Sequence, residues 1–272
     1  MEQIKKFSLY MKEKLTLETI LIAAMKVPMV KVRRDPFLRA QLEPYFPQEQ
    51  VEQAIQYNPA TAKITLKMID GIARSVIKNE TLFVTINSSL TMISDFTLPG
   101  SSIPEDLVVY FVCVFRIIQK LAYLYGFPEF DFDTESNADI LNTAIIFIGV
   151  MTGDTAAVKG LNELSKAVAK QIATKLPRLH LAKTLLYQII KKYATKVGIK
   201  INKVIFAKVC SSFVPVVGVA LSGGLTWLMF KPMCTRLQKT LRKHPLCDPN
   251  SEKYKEPFDE NDDDMANCSD LP

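Results

Sequence analysis

Histidine is almost missing from this chain: His180 and His244 are the only two in 272 residues. They stand far apart, outside any metalloprotease helix pattern and away from an evident nucleophile, so a histidine-dependent hydrolase has no foothold. Glycine is scarce, at ten, and no GxGxxG occurs, which removes the usual dinucleotide turn. Gly218 and Gly223 have the gap of a phosphate loop, but Gly224 and Leu225 occupy the places where Lys and Ser or Thr must hold phosphate and magnesium. Cysteine numbers five, at Cys113, Cys210, Cys234, Cys247 and Cys268, without regular spacing. An odd count with no export signal points to reduced thiols in a cytosolic setting. Lys5 and Lys6 precede an apolar run, but Glu18 breaks it and Lys26 follows, so no secretory signal is expected.

Metal-binding patterns are equally thin. Asp131, Asp133 and Glu135 alternate like the start of a calcium loop, yet Ser136 stands where the loop needs glycine and Asn142 where it needs a bidentate glutamate. Cys234, His244 and Cys247, with Cys268 a distant fourth, offer soft ligands at a spacing that matches no familiar zinc module. The expectation is therefore no catalytic residue, no cofactor and no metal.

Charge is unevenly shared. From Asp248 onward nine acids face only Lys253 and Lys255, a net −7, so the total of +6 leaves +13 on the first 247 residues. A tail this acidic, with Pro245, Pro249, Pro257 and Pro272, cannot bury enough apolar surface to fold. Between Lys159 and Lys208 twelve Lys or Arg stand against Glu163 alone. Leu161, Leu164, Val168 and Ile172 mark one helix face there and Lys159, Asn162, Lys166 and Lys170 the other. In the next helix Leu185, Leu186, Ile189, Ile190 and Tyr193 recur at helical spacing while Lys191 and Lys192 point elsewhere. Such faces suit solvent or anionic lipid. They suit nucleic acid less, because aromatics are not interleaved with the lysines.

What is present is a long apolar run. Val209 to Phe230 carries no formal charge over twenty-two residues, with Lys208 before it and Lys231 and Arg236 behind. As a straight helix it would cover roughly 33 Å, enough for a bilayer core of about 30 Å. Pro215 interrupts it, however, and should end an incoming helix near Phe213. An apolar hairpin results, its second arm carrying Gly218, Ala220, Ser222 and Gly224, small enough for another helix to approach closely. Three placements stay open: the protein core, a position in or on a membrane, or a single span. Trp227, near the end of the run, suits either a membrane boundary or core packing.

Elsewhere helical spacing dominates and no stretch alternates as a half-buried strand requires. The expected fold is all-α: a single multi-helix domain with the apolar Pro/Gly-containing hairpin near its C-terminus. Residues 1–19 read as a helical extension, 20–243 as the domain and 244–272 as an acidic disordered tail. An N-terminal helix should end near Ala24, and the proline-rich stretch Pro28 to Pro47 reads as a connection with short helical pieces. Helices resume near Gln48, and Ile64, Met68, Ile72, Ala73 and Val76 are expected on the core face of a helix over 64–77. Pro104, Glu105 and Asp106 suit the first turn of a helix running to about Tyr125, ended by Gly126 and Pro128. Ser136 and Asp139 form an imperfect capping box before the apolar run Ile140 to Met151.

Several strings stand together in order: LPG at Leu98 to Gly100, PEDL at Pro104 to Leu107, QKLAYLYG at Gln119 to Gly126, IGVMTG at Ile148 to Gly153, and VPVVGVALSGGLTW at Val214 to Trp227. In that order and spacing, over roughly residues 20 to 243, the chain resembles the EcsC-like family of bacterial proteins. The resemblance implies a helical, membrane-associated protein of a family with no established reaction. Its landmarks here are Pro99, Gly100, Pro104, Asp106, Tyr125, Gly126, Gly153, Pro215, Gly218, Gly223 and Gly224, which look structural. Ser101 follows Gly100 where the family pattern carries a second glycine.

The leading expectation is a cytoplasmic, non-catalytic protein at the inner face of the cell membrane. Its partner would be an anionic membrane surface or a membrane protein, with no nucleic acid and no small-molecule substrate. Contact would run through Pro215, Gly218, Gly223, Gly224, Trp227, Lys191 and Lys192, with Pro99, Gly100 and Gly126 as structural turns. The alternatives are a soluble helical interaction module and an enzyme of unrecognised type, in which Asp106, Tyr125 and the acids near Asp131 would share an interhelical pocket.

Overall fold

The computed structural model describes residues 17–87, 105–130, 137–173 and 223–247. Over these the chain is all-α, with no strand among the described residues. The helices are α1 (Leu17–Met25), α2 (Arg34–Leu42), α3 (Gln48–Gln56), α4 (Leu66–Asn87), α5 (Glu105–Leu124), α6 (Asn137–Met151), α7 (Thr155–Ala173) and α8 (Gly223–Leu241). Short 3-10 turns at Pro28–Val30 and Pro245–Cys247 complete the set.

The arrangement follows from α5. Its stretch Leu107–Leu124 is the one helix among the described residues long and apolar enough to cross a membrane, but 83% of that stretch is buried inside the protein. A helix apolar almost all round must be enclosed by something. Here α1, α2, α4, α6 and α8 all pack against it. Phe111, Val112, Val114 and Ile117 are buried on its different sides, each worth about 1.5–3 kcal/mol relative to exposure. The polar residues of α5 fall at one angular position, because Arg116, Gln119 and Lys120 are three and four residues apart. On that side the α1–α2 connection supplies backbone partners. Gln119 donates to Val30 O at 2.7 Å and accepts from Val32 N at 3.0 Å, while Arg116 donates to Met29 O at 2.9 Å.

α5 ends where Gly126 takes φ +93°. Phe127 N donates to Ala122 O at 2.9 Å and Gly126 N to Tyr123 O at 3.2 Å, the paired bonds of a Schellman cap. The α6–α7 corner repeats the device with Gly153 at φ +81°, Asp154 N to Gly149 O and Gly153 N to Val150 O. Asp154 then caps α7 by accepting from Ala157 N at 3.0 Å.

Among the described residues the expected helix ending near Ala24, the one resuming near Gln48, the one running to about Tyr125 and the one over Ile140 to Met151 are all present. Three details differ. The helix expected over 64–77 runs from Leu66 to Asn87, and Met68 is 39% exposed instead of lying on the core face with Ile72, Ala73 and Val76. Ile69 takes its place, because it precedes Ile72, Ala73 and Val76 by helical intervals that Met68 does not match on the buried side. Secondly, the helix that closes the apolar run does not stop at Phe230. α8 continues through Lys231 and Pro232 to Leu241, with both of those residues exposed. The carbonyl left without Pro232's missing N–H, four residues back, can turn toward water on that side. Thirdly, the tail does not begin at residue 244. His244, Pro245 and Leu246 are buried and the turn they enter packs on α7, so the ordered body extends to Cys247. The extension over residues 1–16, the capping residue Ser136 and the tail from Asp248 lie outside the described residues.

A Cβ added at Gly126 would fall 2.9 Å from Asn58 Cγ as well as sitting in the left-handed region, whereas one at Gly71 in α4 meets nothing nearer than Arg74 at 3.9 Å. Gly126→Ala should therefore cost about 2–4 kcal/mol, and Gly71→Ala should stabilise by about 0.5–1 kcal/mol. Urea midpoints at constant m-value measure both.

Candidate functional site: buried polar clasps around the central helix

Four groups of buried polar side chains are candidates for chemistry. The first joins α4, the end of α5 and α8. Asp70 lies on the inner side of α4, where Oδ1 accepts from Tyr125 Oη at 2.7 Å and Oδ2 from Arg242 Nε at 2.6 Å. Gln238 completes the ring by donating to Tyr125 Oη at 3.1 Å and to Asp70 O at 3.2 Å. Burial, with the Asp70 carboxylate beside it, pushes the Tyr125 phenol well above its ordinary range. A phenol in that position stays protonated and donates; it is not a base at neutral pH. Beside it Asn58, Ile64, Leu124 and Leu246 line a hollow of about 10 Å³, room for one water at most.

The second group is a carboxylate clamped by two cations. Glu80 of α4 is 4% exposed and receives Arg116 through both oxygens, at 3.2 and 3.3 Å, together with Lys120. Phe83 and Phe37 lie under those cations, with Arg116 5.4 Å and Lys120 5.8 Å from the ring centres. The two cations hold the single carboxylate between them, a net charge of +1 within α4 and α5, and leave no free carboxylate to act on a substrate.

Arg34 forms the third. It is 1% exposed and its guanidinium donates to Phe127 O, Ile55 O and Ala54 O at 3.1, 2.9 and 3.3 Å, and to Asp35 at 3.2 Å. Its own N–H reaches Glu129 at 3.1 Å. Burial lowers its pKa to about 10, which leaves it charged at neutral pH. One side chain thus ties the ends of α3 and α5 to the start of α2.

The fourth pairs α7 with the C-terminal turn. His244 is buried with Nδ1 against Ser165 Oγ, beside the Phe127 ring at 6.4 Å. Ser165 Oγ also donates to Asn162 O at 2.9 Å. A hydroxyl has one proton, so with it on Asn162 the imidazole carries its own on Nδ1 and donates to Ser165. Nε2 is then a bare acceptor, and it is the one buried side-chain N or O without a hydrogen-bond partner among the described residues. Burial lowers the His244 pKa to about 3. Serine and histidine meet here as in a hydrolase, but the serine proton is turned away from the imidazole and both side chains are buried.

The expected contact residues are only partly within view. Gly223, Gly224 and Trp227 fall in the first two turns of α8, and Gly126 forms its turn as expected. Pro215, Gly218, Lys191, Lys192, Pro99 and Gly100 lie outside the described residues, as do the acids at 131, 133 and 135. Tyr125 is committed to Asp70 and Gln238. The proposed soft-ligand set is not assembled: Cys247 Sγ donates to Leu241 O at 3.4 Å and His244 faces Ser165. Among the described residues no three His, Cys, Asp or Glu are placed to hold a metal. Cys113 and Cys234 are buried, and burial pushes the first thiol up to about 12 and the second well above its usual value. Asp70, Glu80, Gln238 and Ser165 were not foreseen as site residues. An acid on the apolar face of a helix, as Asp70 and Glu80 are among Ile69, Ala73, Val76 and Ile77, was the available signal.

Comparison with protein-family models, with curated proteins and with solved structures gives no match.

The low pKa of His244 fixes a direction for acid stability. The unfolded chain takes up a proton near pH 6.5 and the folded chain only near pH 3, so stability contributed by neutral His244 is full above pH 6.5 and is lost as pH falls toward 3. Between about pH 7.5 and 5 this amounts to ~2 kcal/mol. His244→Asn should flatten that part of the urea-midpoint profile while leaving the loss caused by carboxylates at lower pH.

Proposed function

We propose that this is an EcsC-like, membrane-associated helical protein of the bacterial cytoplasm that holds to the inner membrane face without catalysing a reaction. The observation that carries the reading is the uncharged run from Val209 to Phe230, set between Lys208 and Lys231 in a body of net +13. Its last residue, Phe230, is buried against the bundle, so the run is tethered at one end to packed structure. The one helix among the described residues long and apolar enough to cross a bilayer, α5, is already enclosed by its neighbours. An apolar stretch on a strongly basic body favours anionic bilayers by burial and by attraction together, about 1 kcal/mol for each nearby Lys or Arg. The internal satisfaction of Asp70, Glu80 and Arg34 agrees with a scaffold better than with an active site.

A soluble helical interaction module is the second reading, favoured by that enclosure of α5. Full recovery in the soluble fraction of native cells without detergent would support it, and retention in the pellet through a carbonate wash would not.

The direct test is sedimentation with vesicles. Val216→Asp with Val219→Asp places two charges in the run while leaving the described core intact. Binding to anionic vesicles should fall at least about tenfold, since a buried Asp in a bilayer costs about 2.5–3.5 kcal/mol. Circular dichroism and the thermal midpoint report that the variant remains folded. Undiminished binding by a folded variant would remove the run from any membrane role.

A further inference from the structure

α4 and α8 pack on each other and both pack on α5, so their exposed stripes look outward on the same side of the bundle. The stripes are basic. Lys67, Arg74 and Lys78 are exposed on α4, and Lys239 and Lys243 on α8 and just beyond it. Within the described residues of these two helices no exposed carboxylate balances them. The only acids of α4, Asp70 and Glu80, are buried and held by Arg242, Arg116 and Lys120, and residues 223–247 contain no acid at all. Bonds from Gln238 and Arg242 to Asp70 set the end of α8 beside the start of α4. Lys67, Arg74, Lys239 and Lys243 are thereby brought toward one end of the face. Met68, 39% exposed, adds an apolar spot there.

The turn Pro245–Cys247 closes the body at that same end, since Asn58 donates to Leu246 O at 2.9 Å just ahead of α4. The next residue is Asp248, the first of nine acids in 25 residues with a net charge of −7. The charge is concentrated in five of these acids, Asp259, Glu260, Asp262, Asp263 and Asp264, which follow Cys247 by twelve to seventeen positions. A flexible chain of that length has a root-mean-square reach of about 20 Å, within the roughly 28 Å length of α8. The effective concentration of the acids over the face is therefore high without any stretching.

We propose that the acidic segment 248–272 docks on the cationic outer face of α4 and α8 in the same molecule and competes with other polyanions for it. The contact is electrostatic and multivalent, with Tyr254 or Phe258 available to cover Met68. It does not depend on the membrane reading; where that reading also holds, the segment sets how readily the basic body meets anionic lipid.

Zero-length carbodiimide coupling of the full chain, followed by mass spectrometry, tests the contact. Acids between Asp259 and Asp264 should couple to Lys67, Lys78, Lys239 and Lys243. The yield should fall severalfold between about 0.15 M and about 1 M salt, as the screening length drops from ~8 to ~3 Å. The exposed-residue variant Lys67→Glu, Lys78→Glu, Lys239→Glu should show the same loss of tail contact to this face at low salt, read for the remaining Lys243 and with its helix content unchanged. Coupling confined to the tail itself, or directed to lysines between 159 and 208 with none on α4 and α8, would overturn the proposal. Replacing the tail acids by Asn and Gln separates the two readings. Stronger binding to anionic vesicles supports both, whereas no vesicle binding by either form sinks the membrane reading and leaves the coupling result to decide the docking.

Discussion

The enclosure of α5 governs this structure. A helix that is apolar on nearly every side cannot be left against water, and the five helices around it are arranged to cover it. The cost of including polar residues in such a helix is contained by placing them together. Arg116, Gln119 and Lys120 face one direction, where Glu80 and the backbone of Met29, Val30 and Val32 meet them. Removing any one partner would leave a buried charge or amide unsatisfied, which is far more costly than the bond itself is stabilising. The same residues that make α5 resemble a membrane span by composition are the ones its neighbouring helices cover.

Around that helix the remaining polar groups act as fasteners between segments distant in sequence. Arg34 links α2, α3 and the end of α5, Asp70 links α4, α5 and α8, and His244 links the C-terminal turn to α7. Each uses donors and acceptors that the helices leave spare at their ends or inner faces. The phenol of Tyr125, with its pKa raised by burial, and the imidazole of His244, with its pKa lowered by burial, are both kept in their neutral forms. Neutral groups that are hydrogen-bonded inside a bundle are cheaper to bury than charged ones. That arrangement suits positioning and leaves little capacity for proton transfer.

Much of the architecture was legible in the residues. Periodicity placed the helices, and Gly126 with Pro128 marked the end of α5, because only a residue tolerant of positive φ serves at a Schellman cap. The side chain of Met68 was harder to place: one residue's difference in phase separates it from Ile69, and periodicity alone does not resolve which of two adjacent apolar residues faces inward. The boundary after Lys243 misled for another reason. His244 and Pro245 look like the start of a polar tail by composition, yet a single serine on α7 and the amide of Asn58 hold that turn in place. The clasps themselves depend on pairings such as Asp70 with Arg242, 172 residues apart, which no local pattern encodes.

The bond between Asn58 and the carbonyl of Leu246 spans 188 residues, and α4 finds its chief neighbour in α8 only after most of the chain has followed. During synthesis, the face of α4 that α8 covers must wait on the ribosome with its apolar residues uncovered until residues 223–241 have been made. A nascent chain in that condition invites chaperone attention and aggregation, so its yield in a cell will be governed by how well that interval is protected.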